Sequence, residues 1–371
     1  MRFTFYNWPT EYNIDDYSRA QNTFLQRHIP FNPDAIFKIG NPKPKYGLSD
    51  LDFIIVPTMN SEQIPPYSRW SNNLDASTKY ILCHAPIIMP KHILNNIHYL
   101  LHFTDINKIY GQNIKIRKKS NKDDLINLLN IINLYYPREF LKYLLTKKIN
   151  VKSLLGSLNR FTYVLQLYQK ITGYKDDEQK EFITNVQNLR NTWFTQEVSK
   201  EQLIMHLDQA IILVLKLIQK LLMYLDEIKL WNTQKIPCTY YVTPTQSLLF
   251  RQEWTPKKAL IQSKQLFNKF RIIASILPCQ LFPFFWQTSI PDIQKLINMS
   301  IYRKPSISIE HDFKNYLVNR QKIIDSQLYN YYQYGEDCMN LGTGFAHGLL
   351  DLSYKYKMKM FLKQYLLRQS L

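Results

Sequence analysis

In the stretch KIGNPKPKYGLSDLDFIIVP, residues 38–57, Asp50 and Asp52 stand two apart at the head of an apolar run. Residues two apart in a strand point to the same face. A strand starting near Ser49 therefore sets both carboxylates side by side, with Leu51 and Phe53 turned inward. Carboxylates so placed can share a pair of Mg2+ ions, or Mn2+, because hard cations take oxygen ligands. Such ions activate an attacking hydroxyl and neutralise a leaving pyrophosphate in an in-line displacement. Upstream, AIFKIG (35–40) ends in Gly40 and Asn41, a strand-to-turn junction whose amides could cradle phosphate oxygens, with Gly letting a ligand approach the backbone. Lys43 and Lys45 add charge in the loop, Gly47 closes it, and Ser49 could bond a phosphate or shape the turn. The plainer alternative is a solvated loop running into a buried strand.

The elements that must position these residues are short. AIFKIG (35–40), LDFIIVP (51–57), YILCHAPIIM (80–89) and INKIYGQNIKI (106–116) each read as strands, punctuated by Pro, Gly and Asn. A helix over DYSRAQNTFLQRH leads into the first, and KHILNNIHYLLHF forms another before the last. After RKKSNKDD the apolar spacing turns helical through LINLLNIINLYY, REFLKYLLTKK, SLLGSLNRFTYVLQLYQKIT, KEFITNVQNLRNTWF and the segment 200–228. IPCTYYVTPTQSLLFRQEW breaks the pattern as an extended or hairpin insert. Helices resume at Thr255–Pro256, a helix-start pair, and continue through SIEHDFKNYLVNRQKIIDSQLYNYYQY to a basic amphipathic tail. The expected fold class is α+β: a small mixed-sheet unit with an N-terminal extension over 1–120, a helical domain over 121–232, and a second helical region with an extended insert over 233–371.

Apolar strand, Gly–small polar, a loop ending in Gly47–Leu48–Ser49, Asp50–apolar–Asp52 and a second apolar strand together resemble the nucleotidyltransferase superfamily named for DNA polymerase beta. INKIYGQNI is similar to the strand-and-glycine segment found further along in its minimal and antibiotic-modifying members. The resemblance covers roughly 35–117. It implies a nucleotidyltransferase-like domain, transfer of a nucleoside monophosphate from an NTP to an acceptor, and Mg2+ at Asp50 and Asp52. Asn41 stands where the family usually has Ser, and Pro42 and Pro44 remove amide donors from the loop. Active members usually carry a third carboxylate on a later strand. YILCHAPIIM offers Cys83 and His84 instead, and the nearest acids are Asp105 and Asp75. A catalytically inactive binding or regulatory protein on the same scaffold is the second reading. A helical nucleic-acid-binding protein whose Asp50 is dispensable is the third.

The net charge of +18, from 47 Lys and Arg against 29 Asp and Glu, favours polyanionic partners, although an AT-rich coding bias produces the same Lys, Asn and Ile excess. Within the resemblance, it favours an RNA or protein acceptor over a polycationic small molecule. The four cysteines show no CxxC or zinc spacing, which suits reduced thiols in a cytoplasmic protein. The chain opens without an apolar signal segment. LIMHLDQAIILVLKLIQKLLMYL (203–225) carries too many polar residues for a membrane span and reads as a core helix.

Other motifs have weaker chemistry. His98 and His102, four apart on the expected helix, are spaced for metal but lack an evident third ligand. NLGTGFAHG (340–348) lacks the lysine of a phosphate loop and reads as a turn. Arg190, near Trp193 and Phe194, lines a groove or lies over aromatic rings. IRKKSNKDD reads as a solvated linker.

Overall fold

Alternation along two short strands sets the architecture. The computed structural model describes residues 3–58, 71–100, 105–132, 136–233, 239–242, 247–282 and 307–334. In chain order its elements begin with β1 (Thr4–Tyr6), α1 (Ile14–His28), β2 (Ala35–Ile39), β3 (Asp52–Val56), α2 (Ala76–Ile81), β4 (Ile87–Ile88), α3 (Lys91–Leu94) and β5 (Ile106–Gly111). They continue with α4 (Asn121–Asn130), α5 (Tyr136–Thr146), β6 (Lys148–Asn150), α6 (Val151–Thr172), α7 (Asp177–Asn191), α8 (Lys200–Glu227), β7 (Trp231–Thr233), β8 (Thr239–Val242) and β9 (Ser247–Arg251). The last are α9 (Pro256–Phe270), β10 (Ser275–Pro278), β11 (Ile307–Ile309) and α10 (His311–Tyr334).

The fold is mixed α and β with a small mixed sheet, ordered β4-β3-β2-β5. β3 and β5 both run antiparallel to β2, whereas β4 runs parallel to β3. Phe53 and Ile55 of β3, with Ile36 of β2, pack on Tyr17, Ala20 and Phe24 of α1 and on Ile81 of α2. Ile54 and Val56, with Ala35, Phe37 and Ile39, join a core that runs without a break through α4 to α9. Both faces of the sheet are thus covered, and strands covered on both faces read as apolar runs. The core does not stop at residue 120. β1 also crosses over, pairing in parallel with β6 between α5 and α6, and Trp8 stacks on Trp193 at 6.0 Å.

Local signals explain most helix boundaries. Asn13 with Asp16, Ser120 with Asp123 and Ser199 with Gln202 each form a reciprocal capping box. Thr255 caps α9 with Pro256 in its first turn, as expected from the sequence. α6 ends at Gly173, whose φ of 73° supplies the left-handed cap.

Three expectations change. YILCHAPIIM is not a strand: Tyr80 and Ile81 end α2, Leu82 to Pro86 form a loop, and only Ile87–Ile88 pairs. The Asp75 side chain accepts from the Thr78 amide and starts that helix, a local signal that overrides the apolar run. INKIYGQNIKI stays in the sheet only to Gly111, where φ is 79° and a Cβ would meet the Asp34 carbonyl at 2.2 Å. KHILNNIHYLLHF breaks into α3 and a 3-10 turn over Ile97–Tyr99. The hairpin insert is present as the antiparallel pair β8 and β9. His102, residues 340–348, Cys238, Cys338 and the basic tail lie outside the described residues. Among those described, no helix is long and apolar enough to cross a membrane.

Candidate functional site

β3 begins at Asp52 and not at Ser49. Asp52 shares its face with Ile54 and Val56, so it looks toward the helical side of the sheet, while Leu51 and Phe53 turn toward α1 as the sequence suggests. Asp50 precedes the strand. Its segment is pinned by Leu51 N–H donating to the Ile81 carbonyl at 3.1 Å and by the Tyr17 hydroxyl donating to the Ser49 carbonyl.

The loop before it is held from inside. Gly40 N–H donates to the Asp105 carbonyl at 3.1 Å, Lys43 N–H to the Asn41 side chain at 2.8 Å, and Lys45 N–H to Ser49 Oγ at 3.1 Å. The amides of Leu48 and Ser49 both donate to the Lys45 carbonyl. Gly47 N–H donates to the Tyr17 hydroxyl at 3.1 Å, and Tyr80 donates to the Gly47 carbonyl at 2.7 Å. Most of the amides expected to cradle phosphate are therefore committed to the turn. Space remains at Gly40, where an added Cβ would meet nothing within 4 Å. Lys45 Nζ donates to the Asn191 carbonyl at 3.3 Å, tying the loop to the end of α7.

The two acids expected as third carboxylates do not take that place. The Asp75 side chain is bonded to Ser77 Oγ at 2.6 Å and to the Thr78 amide, as a helix cap. Asp105 sits at the correct end of the sheet, because Ile39 pairs with both Asp52 and Ile106. It is nevertheless separated from Asp52 by β2, about 10 Å for two strand spacings.

Cys83 and His84 occupy the third side. β4 runs parallel to β3 and enters the sheet at the Asp52 end, so the loop preceding it delivers these two residues to Asp50. His84 Nε2 lies 3.1 Å from Asp50 Oδ2, and Cys83 Sγ donates to the same oxygen at 3.4 Å. The ligand atoms of Asp50, Cys83 and His84 all lie within 4.8 Å of one another. The Asp50 side chain is 32 % exposed and that of His84 44 %, so the group faces solvent.

The helical region closes the site with cations. Exposed Arg160 of α6 is near enough for its charge to act on both Asp50 and Asp52. Lys152 of α6 donates to the Tyr80 carbonyl at 2.8 Å and lies 3.4 Å over the Tyr80 ring. Arg190 of α7 is buried and donates to the Leu155 carbonyl at 3.2 Å, within the field of Asp50. Its burial sets it beneath the surface and not along an open groove. No sequence motif marks Lys152 or Arg160: they lie two helical turns apart among residues that look like ordinary helix surface.

Burial works to raise the Asp50 carboxyl, but the hydrogen bond and charge of His84, with Arg160 behind, outweigh it and hold Asp50 well below the usual carboxylate range. Asp52 moves the other way. Burial and then the Asp50 charge push it up to about 6. The hydrogen bond to Asp50, followed by that to Cys83, raises His84 to about 11. Burial lowers both Lys152 and Arg190. A pair of neighbouring carboxylates with opposite displacements is an arrangement found at functional sites.

Asp50 and Asp52 supply hard oxygen donors, as Mg2+ requires, but the third side supplies sulfur and nitrogen. The residues present therefore do not fit an all-oxygen Mg2+ centre. No protein-family model matches the chain, and no curated protein or solved structure matches it.

Proposed function

We propose that this chain is a nucleotidyltransferase that moves a nucleoside monophosphate from an NTP to an RNA or protein acceptor, with Asp50 and Asp52 as its essential carboxylates. One observation carries the reading: the two acids meet at the head of a central strand, within reach of the Arg160 charge of α6. A triphosphate needs positive charge near its oxygens, and the attacking hydroxyl needs a fixed acceptor for its proton. Arg160 and Lys152 supply the first, and Tyr17, Tyr80 and the Ile81 carbonyl hold the loop that carries the second. Lys43, Lys45, Ser49, Asn41 and the open side of Gly40 border the approach. In the transfer, the acceptor hydroxyl oxygen bonds to the α-phosphorus, the bond from that phosphorus to the bridging oxygen breaks, pyrophosphate leaves, and the hydroxyl proton passes to the carboxylate pair and on to water.

The second reading is a nucleotide-responsive scaffold without catalysis. It is favoured by the committed amides of the 40–49 loop and by the pairing of Asp50 with His84. Incubation with each α-labelled NTP, total RNA or lysate protein, and a divalent cation separates the two. Label on an acceptor with the wild type, absent with Asp50→Asn/Asp52→Asn, supports transfer. NTP binding that the double variant loses, without labelling, supports the scaffold.

A further inference from the structure

We propose that Asp50, Cys83 and His84 form a three-ligand site for one borderline transition-metal ion of the zinc class, with a fourth position open to solvent. The proposal stands on these three side chains; it shares Asp50 with the proposed transfer site, but its test does not read nucleotide transfer. Among the described residues, no other group of three His, Cys, Asp or Glu side chains brings its ligand atoms so close together.

The geometry distinguishes a metal site from a nucleophilic relay. In a Cys–His–Asp relay the carboxylate orients the far side of the imidazole and does not touch the nucleophile. Here Asp50 Oδ2 contacts both His84 Nε2 at 3.1 Å and Cys83 Sγ at 3.4 Å, so the three atoms surround a common point. Around a tetrahedral ion with bonds of roughly 2.0–2.3 Å, neighbouring donors lie about 3.3–3.6 Å apart. The two separations from Asp50 Oδ2 lie within a few tenths of an ångström of that spacing, and the third is under 4.8 Å. Its backbone is fixed on both sides: buried Leu82 caps α2 immediately before Cys83, and β4 begins three residues beyond His84.

Donor chemistry selects the ion. Thiolate and imidazole favour zinc-class ions over Mg2+, which takes oxygen ligands and keeps its water. Two ionised ligands, Asp50 and the Cys83 thiolate, would balance a dication. Three protein ligands with an open fourth position is the pattern of catalytic zinc sites, whereas structural sites are closed by four. Asp52 lies outside the three-residue group, which leaves it free of this ion's inner sphere.

Co2+ titration of the purified full chain tests the proposal, because cobalt substitutes for zinc and reports its ligands by absorption. Expected are one Co2+ per chain, a thiolate-to-cobalt charge-transfer band in the near ultraviolet, intense visible bands of a four-coordinate ion, and displacement by Zn2+ but not by excess Mg2+. Cys83→Ser removes the charge-transfer band, while Cys279→Ser, at a buried thiol away from the site, keeps it. If Cys83→Ser loses its native circular dichroism, His84→Asn carries the test, with Co2+ affinity weakened by more than about tenfold. Absence of the band in the wild type, its persistence in folded Cys83→Ser, or unchanged affinity in His84→Asn would overturn the assignment.

Discussion

His84 Nε2 stands 3.1 Å from Asp50 Oδ2 because β4 runs parallel to β3 and enters the sheet at the same end. Where a third carboxylate would complete an all-oxygen centre, the chain places an imidazole and a thiol. The acid pair, this third side and the cations of α6 make up the site.

Arg160 supplies charge to the pair without contributing to the core. Arg160→Gln should weaken NTP binding about tenfold, roughly 1.4 kcal/mol, while the urea midpoint stays within error of the wild type. Fluorescence titration with a labelled NTP and a denaturation curve check both halves.

Gly47 and Gly40 share a positive φ, 78° and 92°, but differ in surroundings. A Cβ at Gly47 would lie 2.3 Å from the Thr10 carbonyl and 2.8 Å from the Phe194 ring, whereas one at Gly40 meets nothing within 4 Å. Gly47→Ala should cost about 2–4 kcal/mol, from left-handed strain plus overpacking, and Gly40→Ala about 1 kcal/mol. Urea unfolding of both variants measures the difference. NTP affinity should respond to Gly40→Ala more than its stability does, since the open side of Gly40 borders the proposed approach.

Asp123 ties chain segments distant in sequence. Its fully buried carboxylate accepts two bonds from Arg117, at 2.9 and 2.6 Å, and one from the Tyr316 hydroxyl of α10 at 2.6 Å. Asp123→Ala leaves a partly buried guanidinium and a buried hydroxyl without that partner and should destabilise by about 3–5 kcal/mol. A lower urea midpoint at unchanged slope is the expected result.

His28 gives the fold an acid sensitivity separate from the site. It is 1 % exposed, and its Nδ1–H donates to the Phe24 carbonyl at 2.8 Å. Burial, with the neighbouring Arg27 charge, lowers it to about 4. An unfolded histidine takes its proton below about 6.5, so between these values the unfolded state binds more protons. This contribution is complete above pH 6.5 and falls by on the order of 3 kcal/mol as pH drops to about 4. Plotting unfolding free energy against pH for the wild type and His28→Phe should show that slope only in the wild type.

The sequence makes the centre of the sheet legible because local and tertiary preferences agree there: AIFKI and DFIIV are β-branched, apolar and covered on both faces. The long helices are legible from period and caps, as at Thr255–Pro256. YILCHAPIIM is misleading because an apolar run cannot distinguish a strand from a helix end, and the Asp75 cap decides it. The acid pair shows in the sequence as a motif. The commitment of the Gly40 and Gly47 amides depends on how α1 and the start of β5 lie against the loop, and the approach of Arg160 and Lys152 on how the helical region lies against the sheet; no local pattern encodes either.

The most direct test of the central claim compares the fate of two labels on one NTP. With the wild type, α-labelled NTP should mark an RNA or protein acceptor while γ-label leaves in pyrophosphate, and Asp50→Asn/Asp52→Asn should do neither. Transfer of the γ-label to the acceptor, or equal α-label transfer by the folded double variant, would contradict nucleotidyl transfer at this site.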